Sequence, residues 1–183
     1  MDLRTPLEER VIRKLKVGDV VYLSGIIFTS RDKAHKRVVE GDNIPMDTRG
    51  LAVYHCGPIV RKDRERWVVL SAGPTTSYRL EEMERNFIRT TGVRMIIGKG
   101  GMGKKTALAC RDYGAVYCSF TGGASLIGAR CVKRVIDVFW TDMGMPEAVW
   151  VFEVKRFGPL VVSIDTHGNN LYQEVVNRAR SQV

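Results

Sequence analysis

VRMIIGKGGMGKKTALACRDYGAVYCSFTGG, residues 93–123, is the stretch that decides the fold. Two apolar runs, 93–97 and 115–120, have the length of buried strands, and each leads directly into a glycine-rich turn. The segment between them, 103–112, reads as a helix. Strands that alternate with helices indicate an α/β domain, whose ligands usually bind at the loops that follow the strands.

The same alternation continues on both sides of this stretch. Further strands are predicted at 19–28, 51–56, 66–71, 132–140, 148–155 and 159–165. Further helices are predicted at 79–90, 124–130 and 169–180, together with a short one that ends near residue 40 and has Arg31 in its first turn. We find no internal repeat or low-complexity linker, so residues 1–183 are predicted to form a single compact domain.

The net charge of +9 suits nucleic acid, an anionic membrane surface, or acidic small molecules and partners. The basic residues are scattered, with denser clusters at 31–37, 61–66 and 130–134, of which 61–66 reads as a solvated turn. No RNA-recognition or zinc-finger spacing appears, so we expect no nucleic-acid partner. The charged residues 1–15 lack the apolar core of a signal peptide, and no run of about 18 apolar residues occurs. We therefore expect a cytoplasmic protein without a membrane partner.

Four cysteines, Cys56, Cys110, Cys118 and Cys131, are spread along the chain without any C-x-x-C pair. Cysteines that bind a metal usually come in close pairs, whereas these lie mainly among apolar neighbours. We therefore interpret them as small core residues. The prediction is that this chain binds no metal by itself, and that the ligands of any metal cluster come from elsewhere.

The turn at 98–106, GKGGMGKKT, is the first candidate anion site, because glycines let backbone N–H groups approach a ligand before a helix N-terminus. It nearly matches a phosphate-binding loop. However, Lys105 occupies the place of the Mg²⁺-binding hydroxyl, and Thr106 comes one residue late, which rotates its side chain by about 100° on a helix. A nucleotide site and a turn without any ligand both stay open as alternatives at this point.

The segment 73–79, GPTTSYR, is the second candidate. It places three consecutive hydroxyls and Arg79 on a loop between a strand and a helix. Arginine offers a planar fork that pairs with a carboxylate through two hydrogen bonds. Threonine and serine also commonly cap the first turn of a helix, so this segment alone does not decide between a carboxylate site and an N-cap.

Six blocks taken together resemble the class I fumarase family, and specifically its separate β subunit. Residues 29–37 resemble a T-x-R-D-x-A-H block, 73–79 a G-P-T-T-x-x-R block, and 97–102 a glycine-rich lysine turn. Blocks at 122–124, 144–148 and 165–169 follow in order. The resemblance covers most of the chain, and it implies a domain of mixed β sheets packed with helices, the swivelling β/β/α domain. Periodicity alone would predict a plain doubly wound sheet.

The resemblance implies reversible hydration of fumarate to L-malate, with an α subunit that holds a [4Fe–4S] cluster and with a higher oligomer of both subunits. It implies that Arg31, Arg79 and Lys99 bind the substrate carboxylates and that Thr75 is the catalytic base. An alcohol can act as a base only if nearby cations stabilise its alkoxide. The remaining candidates for a supporting role or an anion cradle are His35, Thr76, Gly100 and Gly101.

The lysine turn departs from the form K-G-N-R of many single-chain members, because Gly101 and Met102 replace the last two residues. The G-G-M form is typical of two-subunit members, which include L(+)-tartrate dehydratase as well as fumarase. We therefore expect fumarate as the substrate and keep tartrate as the alternative. A deviant phosphate-loop ATPase and a basic nucleic-acid-binding module are the alternatives from other classes.

Overall fold

A seven-stranded mixed sheet and a separate two-stranded hairpin carry the fold in a computed structural model that describes residues 1–181. The strands are β1 (Asp2–Arg4), β2 (Val20–Thr29), β3 (Ala52–Tyr54), β4 (Ile59–Asp63), β5 (Arg66–Ser71), β6 (Met95–Gly98), β7 (Val116–Ser119), β8 (Val132–Phe139) and β9 (Val149–Ile164). The α-helices are α1 (Glu9–Ile12), α2 (Asp32–Val39), α3 (Glu81–Thr91), α4 (Lys104–Tyr113), α5 (Ser125–Cys131) and α6 (Leu171–Arg180). Two 3₁₀ turns lie at Ser77–Leu80 and Thr141–Met143.

The order of strands in the large sheet is β1-β2-β3-β6-β7-β9-β8. Strands β2, β3, β6 and β7 are parallel, and β9 is antiparallel both to β7 and to β2. Strand β9 therefore joins the two ends of the parallel block in a closed cycle of pairings. The mixed sheet confirms the architecture that the family resemblance implies, and the plain doubly wound sheet suggested by periodicity is wrong.

The sequence of β9 explains why it can complete this cycle. Trp150 and Phe152 pack into one hydrophobic core, while Val149 and Val151 pack into a second core together with α2, α3 and α4. This alternation is the period-two pattern of a strand that is buried on both faces. The parallel strands alternate in the same way, so the helical layer covers one face of the sheet and β9 helps to enclose the other.

Several predicted boundaries are wrong. The two strands expected at 148–155 and 159–165 are one strand, because Phe157 pairs with Leu23 and Leu160 pairs with Val21 across the intervening Gly-Pro step. The charged segment 61–66 is not only a turn: most of it belongs to the β4–β5 hairpin, whose exposed charges hid the strand pattern. Arg31 occupies the position before α2 rather than its first turn.

The cysteines have the environment that was predicted for them. Cys56, Cys110 and Cys118 are buried, and Cys131 is partly buried against the core that contains Cys56 and Cys118. Burial raises the pKa of the Cys56 and Cys118 thiols, so both are neutral at pH 7. Among the residues described, none of the helices combines the length and the apolar character needed to cross a membrane.

Candidate active site

The candidate residues gather where the parallel strands end. Strand β2 leads to Arg31, β3 to His55 and β6 to Lys99, and the carboxyl ends of parallel neighbours share one edge of a sheet. The segment 73–79 also reaches this edge through an antiparallel bridge between Pro74 and Cys56. Three of the segments predicted to be functional, those of Arg31, Thr75 and Lys99, therefore meet at one place, together with His55.

Backbone hydrogen bonds join the threonine turn to the lysine turn. Thr76 and Lys99 form a parallel bridge, and the Ser77 N–H donates to the Lys99 carbonyl at 3.1 Å. The Thr75 N–H donates to the carbonyl of His55 at 2.7 Å. Thr75 and Lys99 are thus held in a fixed relation by main-chain contacts, which is the condition for two groups to act on one ligand.

The hydroxyl groups of this segment do not act as helix caps. Thr76 precedes the 3₁₀ turn, but its side chain makes no capping hydrogen bond. The Ser77 hydroxyl is buried and contacts His55 Nδ1 at 3.0 Å, while the half-buried Thr75 hydroxyl donates to the His55 carbonyl at 3.3 Å. The N-cap interpretation is therefore wrong for these residues.

Two of the predicted cations are linked through one carboxylate. Arg79 donates from Nε and Nη2 to the two oxygens of Asp32, at 3.1 and 3.0 Å, and Arg31 Nη2 lies 3.9 Å from Asp32 Oδ2. Arg31 Nε is buried without a hydrogen-bond partner, 3.4 Å from Glu147 Oε1. The hydrogen bonds from Arg79 hold the pKa of Asp32 below its usual value, so this carboxylate stays ionised and orients both guanidinium groups.

Lys99 is the cation with the least compensation. Its side chain is exposed, and no carboxylate of residues 1–181 lies within 4 Å of its ammonium group. The aliphatic part runs beside Gly122, where an added Cβ would lie 3.2 Å from Lys99 Cδ. Gly122 thus leaves room for the lysine, which extends from the sheet edge into open space.

The two glycines after Lys99 have different purposes. Gly100 has a φ of +77°, and an added Cβ there would meet nothing within 4 Å. Glycine is therefore favoured at this position by the left-handed backbone conformation, and not by a lack of room for a side chain. At Gly101 an added Cβ would lie 2.8 Å from Cγ of Tyr172, the second residue of α6. Helix α6 can therefore pack on the lysine turn only because Gly101 lacks a side chain.

The N-terminus of α4, which resembles a phosphate-binding loop in sequence, already holds an anion of this chain. The Glu81 carboxylate accepts hydrogen bonds from the N–H groups of Gly103 (2.7 Å), Lys105 (2.8 Å) and Thr106 (3.3 Å). It also accepts from the Thr106 hydroxyl at 2.6 Å. A phosphate at this position would meet a carboxylate instead of unoccupied N–H groups. This arrangement argues against the nucleotide interpretation.

Residues 1–175 match the model of the family described as fumarase C-terminus. The chain belongs to this family. The six sequence blocks that suggested the relationship all fall within the matched region.

The chain is similar to proteins named as L(+)-tartrate dehydratase subunits and to one named as a class I fumarate hydratase. The chain is 48% identical over 173 residues to the L(+)-tartrate dehydratase subunit beta of Escherichia coli K12, covering 94% of this chain and 86% of the relative. It is 47% identical over 174 residues to a putative L(+)-tartrate dehydratase subunit beta of Methanocaldococcus jannaschii, covering 92% and 89%. It is 44% identical over 174 residues to a putative class I fumarate hydratase of Geobacillus stearothermophilus, covering 94% of this chain but 34% of that protein.

The cysteines of this family member do not fit an iron–sulfur cluster. Within residues 1–181 no three cysteines lie close enough to bind one metal, and three of the four are enclosed in the hydrophobic core. The one group with metal-ligand geometry consists of His35, His55 and Glu84, all fully buried. His35, predicted only as a supporting residue, thus lies beneath the site rather than in it.

Sequence reasoning missed most of the carboxylates that organise this fumarase-type site. Asp32 and Glu147 contact the arginines, and Glu81 and Glu84 project from α3 into the interior. His55, a polar residue within the apolar run LAVYHC, is the one residue of this region whose burial the sequence pattern could have indicated. The pattern gives no such indication for Glu81 and Glu84, because α3 is rich in charged residues along its length.

We expect Glu81→Gln to lower the free energy of unfolding by about 2–4 kcal/mol, because a buried carboxylate that accepts four hydrogen bonds is replaced by an amide that cannot accept them all. Urea denaturation of the purified chain measures this. Glu82→Gln is the matched control: Glu82 is exposed and paired only with Lys105, so its loss should cost less than about 1 kcal/mol. Equal midpoints for the two variants would contradict the structural role of Glu81.

Proposed function

We propose that this chain is the β subunit of a two-subunit hydro-lyase that reversibly hydrates fumarate to L-malate. The observation that carries the proposal is the meeting of Arg31, Arg79 and Lys99 with Thr75 at the carboxyl edge of the parallel strands. Membership of the fumarase C-terminal family supports it.

The charge of the site suits a dicarboxylate. A dianion that leaves water needs at least two cations, because an unpaired buried carboxylate is very costly. Arg31 and Arg79 share Asp32, which neutralises part of their charge, whereas Lys99 has no carboxylate within 4 Å among residues 1–181. We assign one substrate carboxylate to the arginine pair and the other to Lys99. When a proton leaves the carbon beside a carboxylate, negative charge grows on that group, and a cation placed there in advance stabilises it.

Thr75 is the proposed base. Its hydroxyl lies on the same turn as Arg79 and is fixed to Lys99 through the Thr76–Lys99 bridge. Nearby cations are the means by which its alkoxide could be stabilised, since an alcohol is otherwise a poor base at pH 7. Thr76 and the Gly100–Gly101 turn are proposed to shape the carboxylate site around it.

We propose that an α subunit holds the [4Fe–4S] cluster and closes the site. The cysteines of residues 1–181 do not group as metal ligands, so the ligands of the cluster would come from the α subunit. Arg79 and Lys99 are exposed in the isolated chain, whereas charge stabilisation is strong only where water is excluded. A partner subunit that covers Arg79 and Lys99 would exclude water from them. We further propose that the α and β subunits assemble into a higher oligomer.

L(+)-tartrate is the second candidate substrate, because relatives at 47–48% identity over most of their length bear the name L(+)-tartrate dehydratase subunit beta. Both substrates are four-carbon dicarboxylates, so the same three cations suit either one. They differ at C2 and C3, and groups of the partner would contribute to that choice.

Anaerobic co-purification from cells that produce the chain with its native neighbours tests the proposal. We expect a partner subunit with a brown iron–sulfur chromophore and a complex that interconverts fumarate and L-malate. Turnover of L(+)-tartrate to oxaloacetate, with no fumarate hydration, would favour the second candidate. A complex that forms without activity on either substrate would contradict the proposed function.

A further inference from the structure

Three buried side chains below the site have no role in the proposed reaction. Nε2 of His35 and Nε2 of His55 each lie 3.4 Å from the same oxygen of Glu84, Oε2, and the three side chains are fully buried. Neither contact meets hydrogen-bond geometry, and both Glu84 oxygens lack a partner. An ionisable group is seldom kept at this depth without compensation, so the cluster requires an explanation.

Each histidine connects Glu84 to a different part of the site through its other nitrogen. His35 Nδ1 lies 2.7 Å from the hydroxyl of Ser30 and 3.1 Å from the carbonyl oxygen of Arg31. His55 Nδ1 lies 3.0 Å from the Ser77 hydroxyl, which accepts the backbone N–H of Lys99 at 3.2 Å.

The backbone of His55 adds a third connection, because its carbonyl accepts both the N–H and the hydroxyl of Thr75. One carboxylate therefore lies at the centre of contacts that lead to the segments of Arg31, Thr75 and Lys99. These segments are far apart in sequence. Main-chain hydrogen bonds join Ser30 to Tyr54 at 3.1 Å and Thr75 to His55 at 2.7 Å, and the contacts of Glu84 add a side-chain connection among the three segments.

We propose that Glu84 is a positioning residue, whose buried carboxylate receives an Nε2–H from both His35 and His55 and thereby sets the relative placement of Arg31, Thr75 and Lys99. A carboxylate only accepts, so the proposal requires a hydrogen on both Nε2 atoms. Nδ1 of His55 then accepts from the Ser77 hydroxyl, while Nδ1 of His35 lies between the Ser30 hydroxyl and the Arg31 carbonyl, which only accepts. The Ser77 oxygen in turn accepts from the Lys99 N–H.

The Glu84 carboxyl group and the His55 ring shift each other's pKa. Burial opposes ionisation of Glu84, but its interactions with His55 and His35 outweigh burial and hold the pKa of Glu84 below its usual value. Burial is also the main cause that lowers the pKa of His55 to about 4, with Glu84 and Asp32 acting in the opposite sense and His35 and Arg79 in the same sense. The Cys110 thiol near Glu84 is neutral, because burial raises its pKa.

Long-range ¹H–¹⁵N spectra of the ¹⁵N-labelled full-length chain test the arrangement without any activity assay. The sequence has three histidines, and exposed His167 supplies the signal of a solvent-accessible ring. At pH 7.5 we expect a hydrogen on Nε2 of both His35 and His55. In Glu84→Gln the amide can accept one N–H but must donate to the other ring, so one histidine should lose its Nε2 hydrogen. In Ser77→Ala only the His55 signals should move. An Nε2 without hydrogen on either ring of the native chain would overturn the proposal.

Kinetics of the assembled complex test the positioning role of Glu84, and this experiment rests on the proposed function. Glu84→Gln should lower kcat for the dicarboxylate by about 100-fold and change KM, because misplacement by about 1 Å costs that much. A merely structural residue would instead lower the yield or the melting temperature and leave both constants of the folded enzyme unchanged, and that result would overturn the proposal. Exposed Glu82→Gln is the control with unchanged kinetics.

Metal analysis of the purified chain tests whether His35, His55 and Glu84 bind a metal ion instead. Two histidines and one carboxylate with ligand atoms within 4.8 Å of one another could also hold a metal ion. The proposal expects less than about 0.1 equivalent of zinc or iron in the chain, with tautomer signals unchanged by chelator. A stoichiometric ion that persists through chelation would overturn it, since both Nε2 atoms would then be ligands rather than donors.

Discussion

Lys99→Ala is expected to lower kcat/KM of the assembled enzyme by about 10²- to 10³-fold, or roughly 3–4 kcal/mol of transition-state stabilisation. The lysine is the one proposed cation without a carboxylate neighbour among residues 1–181, so no other described group of the chain can replace its charge. If the charge that it stabilises grows during the reaction, most of the loss should appear in kcat. Initial rates of fumarate hydration under anaerobic conditions measure both constants.

Lys104→Ala is the control for Lys99, because Lys104 is exposed on the same glycine-rich segment but begins α4, away from the sheet edge. It should change kcat/KM by less than about twofold. The opposite pattern, a large loss of kcat/KM in Lys104→Ala and a small one in Lys99→Ala, would indicate that the α4 N-terminus is the anion site.

Arg79→Lys is expected to lower kcat/KM by about 10²-fold, although the charge is kept. The guanidinium uses two nitrogens for Asp32 and can direct the remaining donors at a substrate carboxylate, whereas a lysine cannot hold both partners in a fixed plane. Arg85→Lys is the matched control, since Arg85 of α3 makes a solvent-accessible ion pair with Asp112 of α4, away from the sheet edge. A kcat/KM within threefold of the native value in Arg79→Lys would show that the planar guanidinium group of Arg79 is not needed to bind the substrate carboxylate.

The sequence was sufficient to predict the strands that place these residues. Apolar runs followed by glycine or hydroxyl residues correctly indicated that Arg31, Thr75 and Lys99 lie at strand ends, because strand ends and turns are local features. The continuity of β9 could not be predicted in this way. Its Gly-Pro step is a local break signal, but the hydrogen-bond partners that carry the strand across it come from β2, more than a hundred residues earlier.

The supporting carboxylates were beyond prediction for the same reason. Glu81 and Glu84 lie in a charged segment that reads as the solvent face of a helix. Their burial depends on the α4 N-terminus and on two histidines, one within α2 and one directly after β3, which approach only in the folded chain. The phosphate-loop resemblance shows the same limit, because the anion that fills this helix terminus comes from α3.

Fumarate hydration by the purified chain, measured under anaerobic conditions before and after addition of its cluster-bearing partner, tests the central claim most directly. We expect no detectable hydration by this chain or by the partner alone, and activity that rises with added chain until the two are equimolar. The Lys99→Ala chain should assemble with the partner equally well and remain nearly inactive. Steady hydration by the isolated chain would contradict the account, since its cations would then need neither the cover nor the cluster assigned to the partner.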